Sequence, residues 1–172
     1  MDIRKLKKED SNSILKLLAA DYEEVKSNLN YGVILRLKKP SRNREVAWAK
    51  DLQRELAKGD IVYNVAIENG NVIGICYAVK SDIPDSEASH VGILGLEIDK
   101  RHRGNRVGTK LLGYTLDSCR NKFEIIEARV FTTNEAAKNL YRKFGFKTWG
   151  IAPGYVKRGR RYIDMEYMYL KL

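Results

Sequence analysis

The sequence predicts an α/β fold: one mixed sheet with helices on both faces. Three observations predict it. Apolar runs of strand length recur along the chain, some alternating and some continuous. Segments with apolar residues at helical spacing fall between them. The order is strand, helix, helix, hairpin, strand, helix, strand, helix, strands, on a chain of 172 residues, the length of one domain (1–172).

The elements follow in turn. Ile3 to Leu6 alternates and reads as a short strand. Asp10 or Ser11 can cap a helix whose stripe is Ile14, Leu17, Leu18 and Tyr22. Beyond Pro40 a second helical stretch turns Val46, Trp48, Leu52 and Leu56 inward, and Gly59 can end it. Ile61 to Glu68 and Val72 to Lys80 flank Asn69-Gly70-Asn71, a strong hairpin signal. A loop with Pro84 leads to Val91 to Ile98, largely apolar and therefore central. Gly104 to Arg120 reads as a helix that buries Val107, Leu111, Leu112, Leu116 and Cys119. Ile125 to Phe131 is again a strand. Asn134 can cap a further helix carrying Ala137, Leu140, Tyr141 and Phe144 and ending at Gly145. From Phe146 onward the pattern is strand, loop, strand, broken at Gly159. In the last strand Ile163, Met165, Tyr167 and Tyr169 share one face, and Tyr162, Asp164 and Glu166 the other.

Composition narrows the function classes. The chain is 44% hydrophobic, enough for a real core, with formal charge +10. No run approaches a membrane span, and Met1 to Lys8 lacks the apolar stretch of a secretory signal. The expected compartment is the cytoplasm. Cys76 and Cys119 lie far apart in apolar surroundings and read as small buried hydrophobes. His90 and His102 are the only histidines, and no metal-ligand cluster stands out. The basic residues concentrate at Lys100 to Lys110 and at Lys157 to Arg161; elsewhere they read as a solvated surface.

The stretch from Leu94 to Leu112 carries the most chemistry. A strand runs into a basic, glycine-containing turn and then into a helix. Amides at a helix start are free to donate, and the helix dipole favours an anion there. Gly104 and Gly108 leave room for close approach, and Arg103 and Arg106 add charge. On physics alone this can be a pyrophosphate site; it can also be an ordinary strand-to-helix turn with solvated arginines.

This stretch resembles the coenzyme motif of the GCN5-related N-acetyltransferases: Gln or Arg, two residues, Gly, one residue, then Gly or Ala. Arg103, Arg106 and Gly108 take the three positions, so Arg106 replaces the first glycine. Its side chain must then point away from the phosphates or help to bind them. Asn134 to Phe146 resembles a second motif of the family, with Asn, then Ala, then Leu-Tyr, then Gly-Phe. With the order of elements, the resemblance spans nearly the whole chain.

The resemblance implies a mixed sheet of about seven strands whose central pair splays apart, and acetyl-coenzyme A as acyl donor. Leu96 and Ile98 would pair with the pantetheine arm. Arg103, Gly104, Asn105, Arg106, Val107, Gly108 and Thr109 would hold the pyrophosphate, and Asn134 and Lys143 would touch the coenzyme. The chemistry implied is direct attack of a primary amine on a thioester, which needs a base and a donor for the departing thiolate. Tyr141 matches the position of the acid. The glutamate that some relatives use as base is matched by Arg129 here. Glu97 is therefore the candidate base: a charged residue in an apolar central strand, on the face opposite Leu96 and Ile98. Asp164 and Glu166 are weaker candidates for holding a cationic acceptor.

The acceptor, a peptide N-terminus or a small-molecule amine, is left open. Specificity in such a fold would come from Tyr22 to Lys39 and Ile151 to Arg161, with Tyr31, Trp48 and Tyr155 as possible lining. Two other readings stand beside it. One is a family member that binds the coenzyme without catalysis; the other is a nucleic-acid module using Lys157, Arg158, Arg160 and Arg161, with little aromatic interleaving in its favour. A homodimer is an expectation by analogy alone.

Overall fold

A computed structural model describes residues 1–28, 54, 56–81 and 87–172 of the chain. The strands are β1 (Asp2–Lys5), β2 (Ile61–Glu68), β3 (Asn71–Lys80), β4 (Val91–Ile98), β5 (Ile125–Phe131), β6 (Lys147–Arg158) and β7 (Arg161–Lys171). The helices are α1 (Ser11–Ser27), α2 (Val107–Cys119) and α3 (Glu135–Lys143), with short 3-10 turns at Lys8–Asp10 and Lys100–His102. The expected second helix is described only at its end, where residues 54 and 56–58 are helical; its other inward positions, Val46, Trp48 and Leu52, lie outside the described residues, as does Pro84.

The strands form one seven-stranded sheet in the order β1-β2-β3-β4-β5-β7-β6. Every neighbouring pair is antiparallel except β4 and β5. The fold class expected from the sequence is the one observed. Asn69 and Gly70 both adopt positive φ, 50° and 74°, as a two-residue hairpin turn requires. That fixes β2 against β3 and sends their alternating apolar residues to opposite faces.

Each face has its own core. Val65, Ile75 and Val72 pack with Ile14 and Leu17 of α1. Ala66, Cys76, Leu94, Ile126, Ala128 and Met168 pack with Leu111, Leu112 and Leu116 of α2 and with Tyr141 of α3. Both cysteines are free and buried, and burial pushes their thiols up to about 12. Among the described residues no helix is long and apolar enough to cross a membrane.

Two expected boundaries are corrected. α2 begins at Val107, three residues after Gly104. Gly104 at φ 78° and Arg106 at φ 59° lie in the left-handed region, which a right-handed helix cannot include. Residues 103–106 are therefore a turn. Likewise the penultimate strand begins at Lys147, because the Phe146 amide still bonds back to the Tyr141 carbonyl of α3.

Candidate functional site

β4 and β5 run side by side only from Val91 to Leu94 and from Ile125 to Ala128. Beyond that point β4 continues to Ile98 along β3, and β5 continues to Phe131 along β7. The two strands separate because each follows its own outer neighbour. The edge of β4 past Leu94 thus faces an opening in the sheet, with main-chain groups that no described strand across it satisfies. A mixed sheet with this break has a ready place for an extended ligand that can hydrogen-bond to backbone.

The opening leads to the start of α2. A groove of about 720 Å³ runs there, lined by Leu96, Glu97 and Ile98 from β4, by Arg103, Gly104, Arg106, Val107, Gly108 and Thr109 from the turn and helix, and by Thr133, Asn134, Ala137 and Leu140 from α3 and its lead-in. Of the residues expected to hold the coenzyme, nine of the eleven named above line it. Asn105 and Lys143 do not; both are exposed, Asn105 at the tip of the turn and Lys143 at the last position of α3. The Asn134 side chain accepts a hydrogen bond from the Ala137 amide at 3.1 Å, so it caps α3.

The arginine positions differ in role. Arg103 turns back toward the protein: its Nε donates to the Ile98 carbonyl at 2.9 Å, and its two terminal nitrogens donate to Glu24 of α1 at 2.8 and 3.0 Å. Asp21 stands 3.6 Å away. Glu24 itself lines the groove. The turn is therefore braced by a bidentate ion pair between groups that are mostly out of solvent. Arg106 is the exposed residue that precedes the first helical one, held at left-handed φ where the resembling motif has glycine. Its conformation costs about 1 kcal/mol relative to glycine, and it leaves a cation at the positive end of α2.

Glu97 pairs across β3 with Ile75, so it faces the α1 side, while Leu96 and Ile98 face α2 and α3. Its Oε1 is buried with no hydrogen-bond partner among the described residues. A carboxylate oxygen so placed at a groove wall can accept from a ligand's donor. Tyr141 does not line the groove: it is 6% exposed, in the core beside Leu112 and Met168, its ring against Phe146 at 5.4 Å. Burial, then the nearby Cys76 and Tyr77, hold its phenol well above the ordinary range, so it stays protonated.

Other residues reach the site without any signal in the sequence. Tyr77 lies across Gly95 so closely that a Cβ there would collide with its ring. Glu24 and Asn28 join the groove wall from the end of α1, distant in the chain, and His102 joins it from the short turn just before Arg103. Asp164 and Glu166, weaker acceptor candidates, are committed elsewhere. Asp164 accepts from the Gly154 amide at 2.7 Å, and Glu166 is buried between Thr148, Lys138 and Arg142. Tyr31 and Trp48 lie outside the described residues.

A model of the acetyltransferase (GNAT) family matches residues 14–146. L-amino acid N-acetyltransferase AaaT of Escherichia coli (strain K12) is 31% identical over 106 residues, which are 60% of this chain and 64% of that protein. N-alpha-acetyltransferase RimI of Mycobacterium tuberculosis is 31% identical over 104 residues, 60% of this chain and 63% of that protein. The matched region thus spans just under two thirds of the length of these relatives. Among solved structures, a ribosomal-protein-alanine N-acetyltransferase from Brucella melitensis superposes with a TM-score of 0.83 at 21% identity, covering 100% of both chains. A phosphinothricin acetyltransferase from Sinorhizobium meliloti, solved in complex with AcCoA, gives 0.82 at 22%, covering 99% of this chain and 88% of that one. These likenesses show a shared fold.

Proposed function

The chain belongs to the acetyltransferase (GNAT) family, and we propose that it is an acetyl-coenzyme A-dependent N-acetyltransferase acting on a primary amine. The observation that carries this reading is the divergence of β4 from β5 after Leu94 and Ala128, opening into a groove that ends at the start of α2. The shape and donors fit the coenzyme: a free strand edge for an amide-bearing arm, and helix-start amides for a pyrophosphate. Bound there, acetyl-coenzyme A would supply an activated acyl thioester.

The residues then divide the work. Leu96 and Ile98 offer main-chain groups to the arm, and the amides of Val107, Gly108 and Thr109 face the phosphates. Arg106 adds the charge that the motif's glycine lacks. Glu97 takes a proton from the acceptor ammonium, which must be neutral to attack. Its buried, unpartnered oxygen supports this role. Tyr141 holds a proton for the departing sulfur; burial keeps its phenol protonated in the resting protein, and it yields that proton only as negative charge develops on the sulfur.

Calorimetric titration with acetyl-coenzyme A, followed by an amine panel read by mass spectrometry, tests the reading. Saturable binding with acetyl transfer supports it. Binding without transfer to any amine would leave a coenzyme-binding protein without catalysis, and no binding at millimolar concentration would discard the coenzyme site.

A further inference from the structure

The sheet face that carries Gly95 and Glu97 continues past the opening onto β5, β7 and β6. Leu94 and Ala128 are paired and both point into the α2 core, so the next residue of each strand, Gly95 and Arg129, faces the other way. Arg129 is opposite Tyr167 in β7. Tyr167 therefore stands two strands from Glu97 on the same face.

Two irregularities in β6 bring two more rings to it. The register shifts between Thr148 and Gly150, with Trp149 as the extra residue, and again between Ala152 and Val156, across Tyr155. A bulge re-aims a side chain that the pleat would have placed otherwise. Trp149 meets Tyr167 edge-on at 5.3 Å, and Tyr155 meets it at 6.2 Å with the ring planes at 90°. The Arg129 guanidinium lies 5.7 Å from the Tyr167 ring centre while bonded to Glu127 at 2.8 Å. Held in this way, the rings keep their outer surfaces open: Trp149 is 60% and Tyr155 51% exposed. Large aromatic side chains left exposed in a cluster usually mark a binding surface.

We propose that Trp149, Tyr155 and Tyr167 form a cradle for an aromatic group on the acceptor, so that amines bearing an aromatic side group are preferred substrates. The occupant is small, because three rings on one strand pair offer a platform for one flat group. It is part of the acceptor, because the platform is continuous with the face of Glu97, where the amine must be neutralised. Edge-to-face contacts and burial of the ring supply the preference. This inference rests on the amine acetyltransferase reading above.

The test uses a ladder of ethylamine, butylamine and phenylethylamine, with the intact chain. Affinity is measured by calorimetry in the presence of coenzyme A, and transfer with acetyl-coenzyme A. On the proposal, both affinity and kcat/KM rise at least tenfold from ethylamine to phenylethylamine. Trp149→Ala and Tyr155→Ala each cut the phenylethylamine values at least fivefold, leave ethylamine within twofold, and leave acetyl-coenzyme A affinity unchanged. A flat ladder, or equal losses for all three amines, would overturn the cradle. So would sedimentation in which Trp149→Ala converts a dimer to a monomer, since the rings would then be an interface between copies. Failure of the underlying reading is seen separately: the wild-type chain would then either not bind acetyl-coenzyme A or bind it and acetylate none of the three amines.

Discussion

Glu97, Tyr141 and Arg106 show how one side chain acquires a role from where the backbone holds it. Glu97 is expected to lower kcat by about 10²-fold when changed to Gln, and the rising limb of the rate against pH should vanish with it. Unchanged rate and profile would move the base to another group or to water. For Tyr141→Phe the expected result is a lower kcat with acetyl-coenzyme A affinity intact. Because the phenol is held protonated, the wild-type profile should show no falling limb from it below its ordinary value of about 10. Undiminished turnover in the Phe variant would refute the acid role. Arg106→Gly relieves a left-handed residue, so stability should stay within about 1 kcal/mol of wild type. If Arg106 serves the phosphates, coenzyme affinity should fall by a factor of about ten at low salt and depend less steeply on salt thereafter. Equal affinity in both proteins would make Arg106 a bystander.

At the scale of elements, the brace from Arg103 to Glu24 matters most. It ties α1 to the turn that precedes α2, across 79 residues of sequence. The same guanidinium bonds the last carbonyl of β4, so three elements meet on one side chain. Glu24→Gln keeps the shape but weakens the pair, and a loss of about 1–2 kcal/mol in unfolding free energy is expected. Acetyl-coenzyme A affinity should fall with it, because a loosened turn no longer presents its amides in register. Denaturant melts and calorimetry on the one variant read both effects; lost stability with full affinity would confine the brace to folding. Its two halves could not be matched in the sequence. Glu24 is one of several acidic residues in α1, and nothing in the local pattern selects it.

For the molecule as a whole, three carboxylates among the described residues are held below their ordinary range, Asp10, Asp99 and Glu135, and the first two tie elements together. Hydrogen bonds from Arg101 hold Asp99 well below the usual carboxylate range. Burial alone would raise Asp10, but hydrogen bonds from Arg4 and from the Lys7 amide outweigh it and leave Asp10 lowered. Both groups release protons more readily folded than unfolded. Their contribution is therefore fully present above the unfolded value of about 3.9 and is lost as pH falls below it. Unfolding free energy measured from pH 5 down to pH 2 should decline, and Asp99→Asn should shallow that decline. An identical slope would show that Asp99 does not govern it. Asp10 ties the start of α1 to the edge strand β1, and Asp99 sits at the end of β4, so acid should loosen the sheet at both places.

The sequence by itself determined most of the elements, their order and the basic turn ahead of α2. These are local: the periods of 2.0 and 3.6, the Asn69-Gly70 turn, the Asn134 cap and the spacing of Arg103, Arg106 and Gly108 are all set by neighbours along the chain. Its alternation also assigned Glu97 to the face opposite Leu96 and Ile98. The tertiary structure alone decided the rest. The separation of β4 from β5 arises because each strand keeps a different partner, which no single strand encodes. The left-handed turn at residues 104–106 begins α2 later than hydrophobic spacing suggests. The Arg103–Glu24 brace, the Tyr77 ring over Gly95 and the cluster of Trp149, Tyr155 and Tyr167 join residues brought together only by sheet register and bulges, which depend on the packing of the whole sheet.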